Sequence, residues 1–140
     1  MQPIKSRIPL QATLEFRRIK RALVREHWFM GSCRGEAEAL YLELEDRRWV
    51  ELRADPVNAC WVLGKSDAAT AGATFGDGDS HYPVRDAGAD YALTGARINR
   101  VTERRLGERI EVCLEFVNAT DLTLHYNLIT HESSLYFTRD

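Results

Sequence analysis

Apolar and polar residues alternate strictly in three segments of the chain. Leucines fill every second position of residues 40–44, and residues 110–116 and 122–128 follow the same period with other apolar side chains. A period of two residues is typical of strands that bury one face against a core. Turn-forming residues at 46–48 and 118–120 separate these segments from their partners. The pattern therefore predicts two antiparallel hairpins.

The second half of the chain resembles the first half. Each half carries an Arg-Ile-x-Arg motif, followed by an alternating hairpin and a closing apolar triplet. The matching segments are 18–21 with 97–100, 40–52 with 112–124, and 61–63 with 135–137. Self-similarity of this kind is the sequence signature of a repeated unit. We expect one domain over residues 1–140, made of related halves at 10–63 and 90–138 that are joined by a Gly/Ala/Asp-rich loop at 64–89.

The predicted fold is mainly β, with seven or eight antiparallel strands arranged as a sandwich or a partly open barrel built from the two related units. Residues 10–28 fit a helical stripe as well as a strand, so one N-terminal helix and an α+β fold form the alternative. As a strand, this segment would need a bulge at 17–18 to keep both Phe16 and Ile19 inside. A long loop such as 64–95 is a functional loop, a covering flap or a flexible connector.

Composition is that of an ordinary soluble domain. The 140 residues carry a formal net charge of −2, and no apolar run approaches the ~20 residues that a membrane span requires. Three cysteines without CxxC spacing fit reduced thiols in a cytosol. We therefore expect a cytoplasmic protein without a cofactor. No catalytic signature stands out, so we lean against an enzyme.

The strongest candidate for a binding site is the outward face of the first hairpin. If that hairpin turns about residue 47, Glu43 lies opposite Glu51 and Glu45 lies opposite Trp49. The face would then present Tyr41, Glu43, Glu45, Trp49 and Glu51. Uncompensated carboxylates beside exposed aromatic side chains are typical of a protein-binding hot spot. We expect a protein partner, most concretely a basic toxin neutralised by a bacterial immunity or antitoxin-like protein. The alternative is that the basic lead strand neutralises these acids within the fold.

A metal site is the second candidate, and it implies a small metal-dependent enzyme or metal-binding domain. Asp77, Asp79 and His81 lie at alternate positions around a glycine, so their side chains could reach one cation. The spacing matches neither an EF-hand loop nor an HExxH motif. Residues of the C-terminal half that could complete the site are His125, His131 and Glu132.

Two further candidates carry less weight. A second hairpin that turns about residue 119 would place Cys113 opposite His125, which is the minimum pair for an activated thiolate, but no third orienting residue is recognisable. Nucleic acid is a weak expectation as a partner, because no RNA- or DNA-binding motif accompanies the basic lead segment. Its basic residues are Arg17, Arg18, Lys20, Arg21 and Arg25.

Overall fold

The computed structural model describes residues 7–117 and 120–139. The protein is mainly β, with 63% of the described residues in strands and 11% in helices. The strands are β1 (Arg7–Ile8), β2 (Ile19–Phe29), β3 (Ser32–Leu44), β4 (Trp49–Asp55), β5 (Cys60–Ser66), β6 (Phe75–Asp77), β7 (Ser80–Tyr82), β8 (Val84–Asp86), β9 (Ile98–Leu106), β10 (Arg109–Phe116), β11 (Thr120–Asn127) and β12 (Ser133–Arg139). The helices are α1 (Leu10–Leu14), α2 (Ala68–Gly72) and α3 (Ala87–Asp90).

Eight strands form an open, strongly curled half-barrel in the order β1-β5-β4-β3-β12-β11-β10-β9. Strand β2 pairs with β3 and, on its other side, with β7 and β8. Every described strand pair is antiparallel except a parallel bridge between Gly35 of β3 and Ser133 of β12. The mainly-β, partly open barrel that the sequence predicts is confirmed.

Alternating side chains of both hairpins fill the core on the inner face of this sheet. Leu40, Leu42, Val112, Leu114 and Leu124 are completely buried there. Burying one such side chain contributes roughly 1.5–3 kcal/mol. The period of two along the sequence therefore identified the correct inward face of each strand.

The lead segment combines the two alternatives. One helical turn, α1, precedes a short turn, and the strand then begins at Ile19. Ile19 is fully buried, but Phe16 is 64% exposed, so the expectation that both lie inside is wrong for Phe16. The reason is local: Phe16 has a φ of 70°, which reverses the chain between helix and strand and directs the ring outward. The bulge lies between Ile19 and Arg21 rather than at 17–18.

Both hairpins turn one residue earlier than the sequence suggests. Tyr41 lies opposite Glu51 and Glu43 opposite Trp49, so the first hairpin turns about residue 46. The cause is that the three-residue loop covers 45–47 instead of the predicted 46–48 and is closed by Arg47, whose φ of 69° is left-handed. The pairing of 116 with 120 shows that the second hairpin turns about residue 118. The predicted turn residues 118 and 119 themselves lie outside the described residues.

Residues 67–86, hereafter the flap, contain α2 and β6–β8, so the segment is not a structureless loop. Strand β8 pairs with β2, and α2 lies on the outer face of the sheet. Ala71 of α2 packs there with Leu23, Tyr41 and Trp49 in a second, smaller apolar cluster. Of the three alternatives for this segment, the structure matches a covering flap.

Strands β2–β5 form one meander and β9–β12 form another, and their ladders have the same registers. Leu40 pairs with Leu52 as Val112 pairs with Leu124, and the next pairs along are Leu52 with Leu63 and Leu124 with Leu135. The first strand of each meander has a bulge at the same place. These registers match Leu63, rather than Trp61, to Leu135. We refer to these strands as the first and second meanders.

Candidate partner-binding surface

The flap buries the aromatic side chains that the sequence places on an open face. Tyr41 is 1% exposed and Trp49 is 8% exposed, so the expectation that both are exposed is wrong. Their direction is as predicted, toward the outer face, but α2 covers that face. The flap is held in place by a contact between residue 25 and residues 70–73. These residues are distant in the sequence, so the geometry of the hairpin alone does not predict that they meet.

Arg25 fastens the flap to the first meander. This residue is 6% exposed and donates hydrogen bonds to the Tyr41 hydroxyl and to the backbone carbonyls of Thr70 and Ala73, at 2.9 and 2.6 Å for the two carbonyls. Its guanidinium lies over the rings of Tyr41 and Phe75, 4.9 and 5.0 Å from their centroids. Arg25, a candidate contact for nucleic acid, is thus an internal residue.

The carboxylates of the predicted acidic face are largely matched within the fold. Glu43 and Glu51 are half-buried, and Glu45 is exposed at the turn. Arg21 lies opposite Glu43, Arg17 lies 3.5 Å from Glu45, and the Tyr41 hydroxyl donates to Glu51 at 2.8 Å. Burial and the Glu51 carboxylate both raise the pKa of Tyr41. The arrangement matches the alternative in which the lead strand neutralises these acids.

The outer face of the second meander is polar where the corresponding face of the first is apolar. Thr102 and Cys113 are half-buried, and Tyr136 is 52% exposed. In the shared register, Leu23, Ala39, Tyr41 and Trp49 correspond to Thr102, Glu111, Cys113 and Asp121. An apolar face requires a cover, whereas a polar face of this kind can meet solvent or a partner.

Glu111 is the exception on that face, because it is buried at 6% exposure. Its carboxylate pairs with Arg104 and lies 3.2 Å from Nε2 of His125. The ring of Tyr136 contacts His125 edge-on at 4.8 Å. Desolvation lowers the pKa of His125, with Arg109 and Arg104 acting in the same direction and Glu111 opposing them. Nδ1 of His125 is buried without a hydrogen-bond partner in the described part of the chain, so the imidazole offers no open nitrogen there.

The predicted Cys–His pair is wrong. Cys113 lies opposite Thr123, and His125 lies opposite Glu111, because the hairpin turns one residue earlier than expected. Burial is the main cause that raises the pKa of the Cys113 thiol. A protonated thiol beside threonine is not an activated nucleophile.

The structure does not bring the candidate metal ligands together. Asp77 and Asp79 lie at the β6–β7 turn, and His81 stacks on Trp28 with ring centroids 6.0 Å apart. His125 belongs to the Glu111 cluster of the second meander. Across residues 7–117 and 120–139, no three His, Cys, Asp or Glu side chains are grouped so that they could hold a metal ion.

A free strand edge is the feature that sequence reasoning missed. The backbone N–H of Val101 in β9 donates to Glu15 at 2.9 Å, and its carbonyl accepts from Gln11 at 3.0 Å, so both groups point away from β10. Alternate residues of a strand direct these groups to the same side. Glu103 and Arg105 therefore point theirs to the open edge, where no residue of the described ranges pairs with them.

The first meander has a strand at the positions that β9 leaves open. Val24 pairs with Arg85 of β8, and the N–H of Glu26 donates to the carbonyl of Pro83 at 2.9 Å. In the shared register, Val24 corresponds to Glu103, and Glu26 follows Arg25 as Arg105 follows Arg104, at the point where the β2–β3 register shifts. The sequence signal for this difference is the polar replacement at 102 and 111, which becomes meaningful only once the ladders are aligned.

Arg104 stands in the second meander where Arg25 stands in the first. Its side chain is 64% exposed and is held against the sheet by Glu111.

No helix among the described residues is long and apolar enough to cross a membrane. Comparisons with protein-family models, with curated proteins and with solved structures gave no match to this chain.

Proposed function

We propose that this chain is a non-enzymatic protein-binding module that takes an extended segment of a partner protein onto the free edge of β9. The observation that carries the proposal is the pairing of β8 with β2 at the positions that Glu103 and Arg105 leave open on β9. Strand addition of this kind gains affinity from backbone hydrogen bonds and specificity from alternate side chains. An exposed edge is otherwise a liability that proteins block.

The described part of the chain blocks the edge of β9 only as far as Val101, and Phe16 and Arg17 bond to the backbone groups of Ile98 before it. Gln11 and Glu15 satisfy both backbone groups of Val101, and the two residue positions beyond it that face the same way have no such cap in the described structure. These contacts from Gln11 and Glu15 do not extend to Glu103. The added strand would therefore begin directly after the residues that α1 covers. The segment would therefore lie alongside residues 102–106.

The partner segment that fits this edge best is acidic. Arg105 and Arg109 have no carboxylate within ion-pair distance among the described side chains. Arg104 is exposed and would reach the carbonyls or carboxylates of an added strand, as Arg25 reaches those of Thr70 and Ala73. Charge complementarity across an interface contributes to specificity and association rate.

An immunity or antitoxin-like protein that neutralises a basic toxin is a narrower form of this proposal. It relied on a face where Tyr41 and Trp49 are open to solvent, and the flap covers that face. The acidic residue of the set that stays exposed is Glu45, which Arg17 contacts. The β9 edge is therefore the surface on which we base the protein-binding function.

The proposal is tested by titrating the isotope-labelled full chain with a seven-residue peptide of alternating Val and Glu. We expect saturable shifts of the backbone amides of Glu103 and Arg105, because these are the donors on the open edge. The matched variant is Glu103→Pro. It removes one edge N–H without removing a hydrogen bond to β10, because proline is tolerated where the missing N–H faces solvent.

The control for that variant is Glu103→Ala, which keeps the backbone donor and loses only the side chain. We expect Glu103→Ala to bind the peptide and Glu103→Pro to bind it about tenfold more weakly. That ratio corresponds to a difference of about 1.4 kcal/mol in the free energy of binding. A peptide of alternating Val and Lys tests the charge argument and should bind more weakly. Equal binding by both variants, or no change at Glu103 and Arg105 at any peptide concentration, would refute strand addition.

A further inference from the structure

A hollow of about 340 Å³ opens at the other end of the first meander, between the β3–β4 turn and the start of the flap. Its basic lining comes from Arg47, Arg48 and Lys65. Its apolar lining comes from Ile8, Trp49, Val50 and Ala68, of which Trp49 and Val50 are buried. Small-molecule sites combine an apolar wall with a few convergent polar groups in a volume of this order.

Two of the three cations have no carboxylate partner among the described residues. Arg48 pairs with Asp46 at 2.7 Å, whereas Arg47 and Lys65 form no ion pair with any described residue. Asp67 also lines the hollow, but its carboxylate accepts a hydrogen bond from the backbone N–H of Thr70 at 2.7 Å. That hydrogen bond leaves the carboxylate charged, so three cations oppose the carboxylates of Asp67 and Asp46, and the hollow keeps an excess of one positive charge.

Arg47 occupies a position that favours glycine or asparagine. Its φ of 69° lies in the left-handed region, where a residue with a long side chain is strained by roughly 1 kcal/mol. Such strain is common at functional sites, where the side chain serves a purpose that the backbone does not. Here the strained residue is one of the two cations in the hollow without a carboxylate partner.

We propose that this hollow binds a small organic oxyanion, with its phosphate or carboxylate group held by Arg47 and Lys65. Its apolar body would lie against the half-buried Ile8, the exposed Ala68 and the small part of the Trp49 side chain that reaches the hollow. The Arg21 guanidinium lies 5.5 Å from the centroid of the Trp49 ring and fixes that side chain from one side. A planar guanidinium suits an oxyanion because it donates two parallel hydrogen bonds. The inference is independent of strand addition at β9, because it uses none of the residues of that edge.

The test is a titration of the isotope-labelled full chain with phenyl phosphate, followed at the amides of residues 47–49 and 65–66. Benzoate replaces the phosphate group in a second arm and distinguishes the two oxyanions. Inorganic phosphate tests the charge alone, and benzyl alcohol tests the apolar body alone. We expect saturable binding of at least one aromatic anion, tighter than either partial probe. Inorganic phosphate that binds as tightly as phenyl phosphate would overturn the role assigned to the apolar lining.

Two variants locate the site. Lys65→Gln and Arg47→Gly should each weaken binding of the aromatic anion about tenfold, the effect of losing one charge-assisted hydrogen bond. Lys20→Gln, which removes an exposed cation of β2, is the control and should bind normally. Arg47→Gly should also raise the midpoint of urea unfolding, because glycine relieves the backbone strain. Unchanged affinity in both site variants, or no saturable shift with any probe, would overturn the proposal.

Discussion

Arg18 and Arg97 face each other across an antiparallel β-bridge, and each immediately precedes the isoleucine that begins its own meander. The flanking hydrogen bonds repeat when the two segments are exchanged. They run from the N–H groups of Phe16, Ile98, Gly95 and Ile19 to the carbonyls of Ile98, Arg17, Ile19 and Ala96. The two meanders are therefore related locally by a two-fold rotation at this contact.

The bridge of Gly35 to Ser133 is a second backbone contact between the meanders. It predicts that substitutions at these two residues have coupled effects on the free energy of unfolding. The Ser133 hydroxyl accepts a hydrogen bond from the buried N–H of Ala37 at 3.1 Å. A Cβ on residue 35 would lie 2.6 Å from that hydroxyl oxygen. We expect Gly35→Ala to destabilise the protein by about 1–3 kcal/mol through overpacking.

A double-mutant cycle isolates the cause. Ser133→Ala alone leaves the Ala37 N–H without its acceptor and should destabilise the fold by about 1–3 kcal/mol. In the Ser133→Ala background the clash with the hydroxyl is gone, so Gly35→Ala should destabilise less than it does in the wild type. The free energies of unfolding come from urea titrations. Simple additivity of the two changes would show that this contact does not couple the meanders.

The variant Arg25→Met tests how much the attachment of the flap by Arg25 contributes to the stability of the fold. Methionine fills much of the same space, but the Thr70 and Ala73 carbonyls and the Tyr41 hydroxyl lose their donor. Removing one member of a buried charged network costs about 3 kcal/mol. We expect a lower free energy of unfolding together with rapid proteolysis within residues 67–86. Lys20→Met, an exposed change on the same strand, serves as the control. A flap that stays protease-resistant in Arg25→Met would show that Arg25 does not hold the flap on the first meander.

Sequence pattern was sufficient for the faces of the strands but not for their pairing. Alternation at 40–44 and 110–116 placed the correct side chains in the core, because a strand's two faces depend only on odd or even position. The identity of the residue opposite depends on the turn as well. The three-residue loop that Arg47 closes covers residues 45–47 rather than 46–48, and that shift replaced the expected Glu43–Glu51 pair with Glu43–Trp49.

The exposure of the candidate site was harder to predict, because whether a strand face is covered depends on residues that are distant in the sequence. Tyr41 and Trp49 lie on the predicted side of their strands, and their burial depends on Ala71 of the flap. Short acidic and glycine-rich stretches carry little hydrophobic signal, so nothing in residues 64–89 indicated where they would pack. The free edge of β9 likewise depends on knowing which strands neighbour which.

His125 predicts a pH dependence of stability. Its pKa in the folded protein lies below its ordinary value of 6.5, chiefly because of desolvation. Above that value His125 is neutral in both states and imposes no penalty. As the pH falls from 6.5 toward the lower folded pKa, the unfolded chain binds a proton that the folded protein does not, so stability is lost.

The variant His125→Gln removes this titration. We expect the wild type to lose more free energy of unfolding than His125→Gln between pH 7.5 and 5.5, measured in parallel urea titrations. The difference between the two slopes is the quantity of interest, because it cancels the contributions of other groups. Glu111, Arg104 and Arg109 face the imidazole and remain in both proteins. Parallel pH profiles would show that His125 titrates alike in the folded and unfolded states.

Amide hydrogen exchange tests the edge itself in the unbound protein. The N–H of Glu26 is bonded to Pro83, whereas the corresponding N–H of Arg105 has no acceptor in the described structure. Exchange from Arg105 should therefore be faster, by roughly a hundredfold or more if the β2–β8 pairing opens only rarely. The Val101 N–H supplies an internal control, since Glu15→Ala removes its acceptor and should accelerate its exchange while leaving that of Arg105 unchanged. Equal protection of Glu26 and Arg105 would mean that the β9 edge is already covered, and it would then be unavailable to a partner strand.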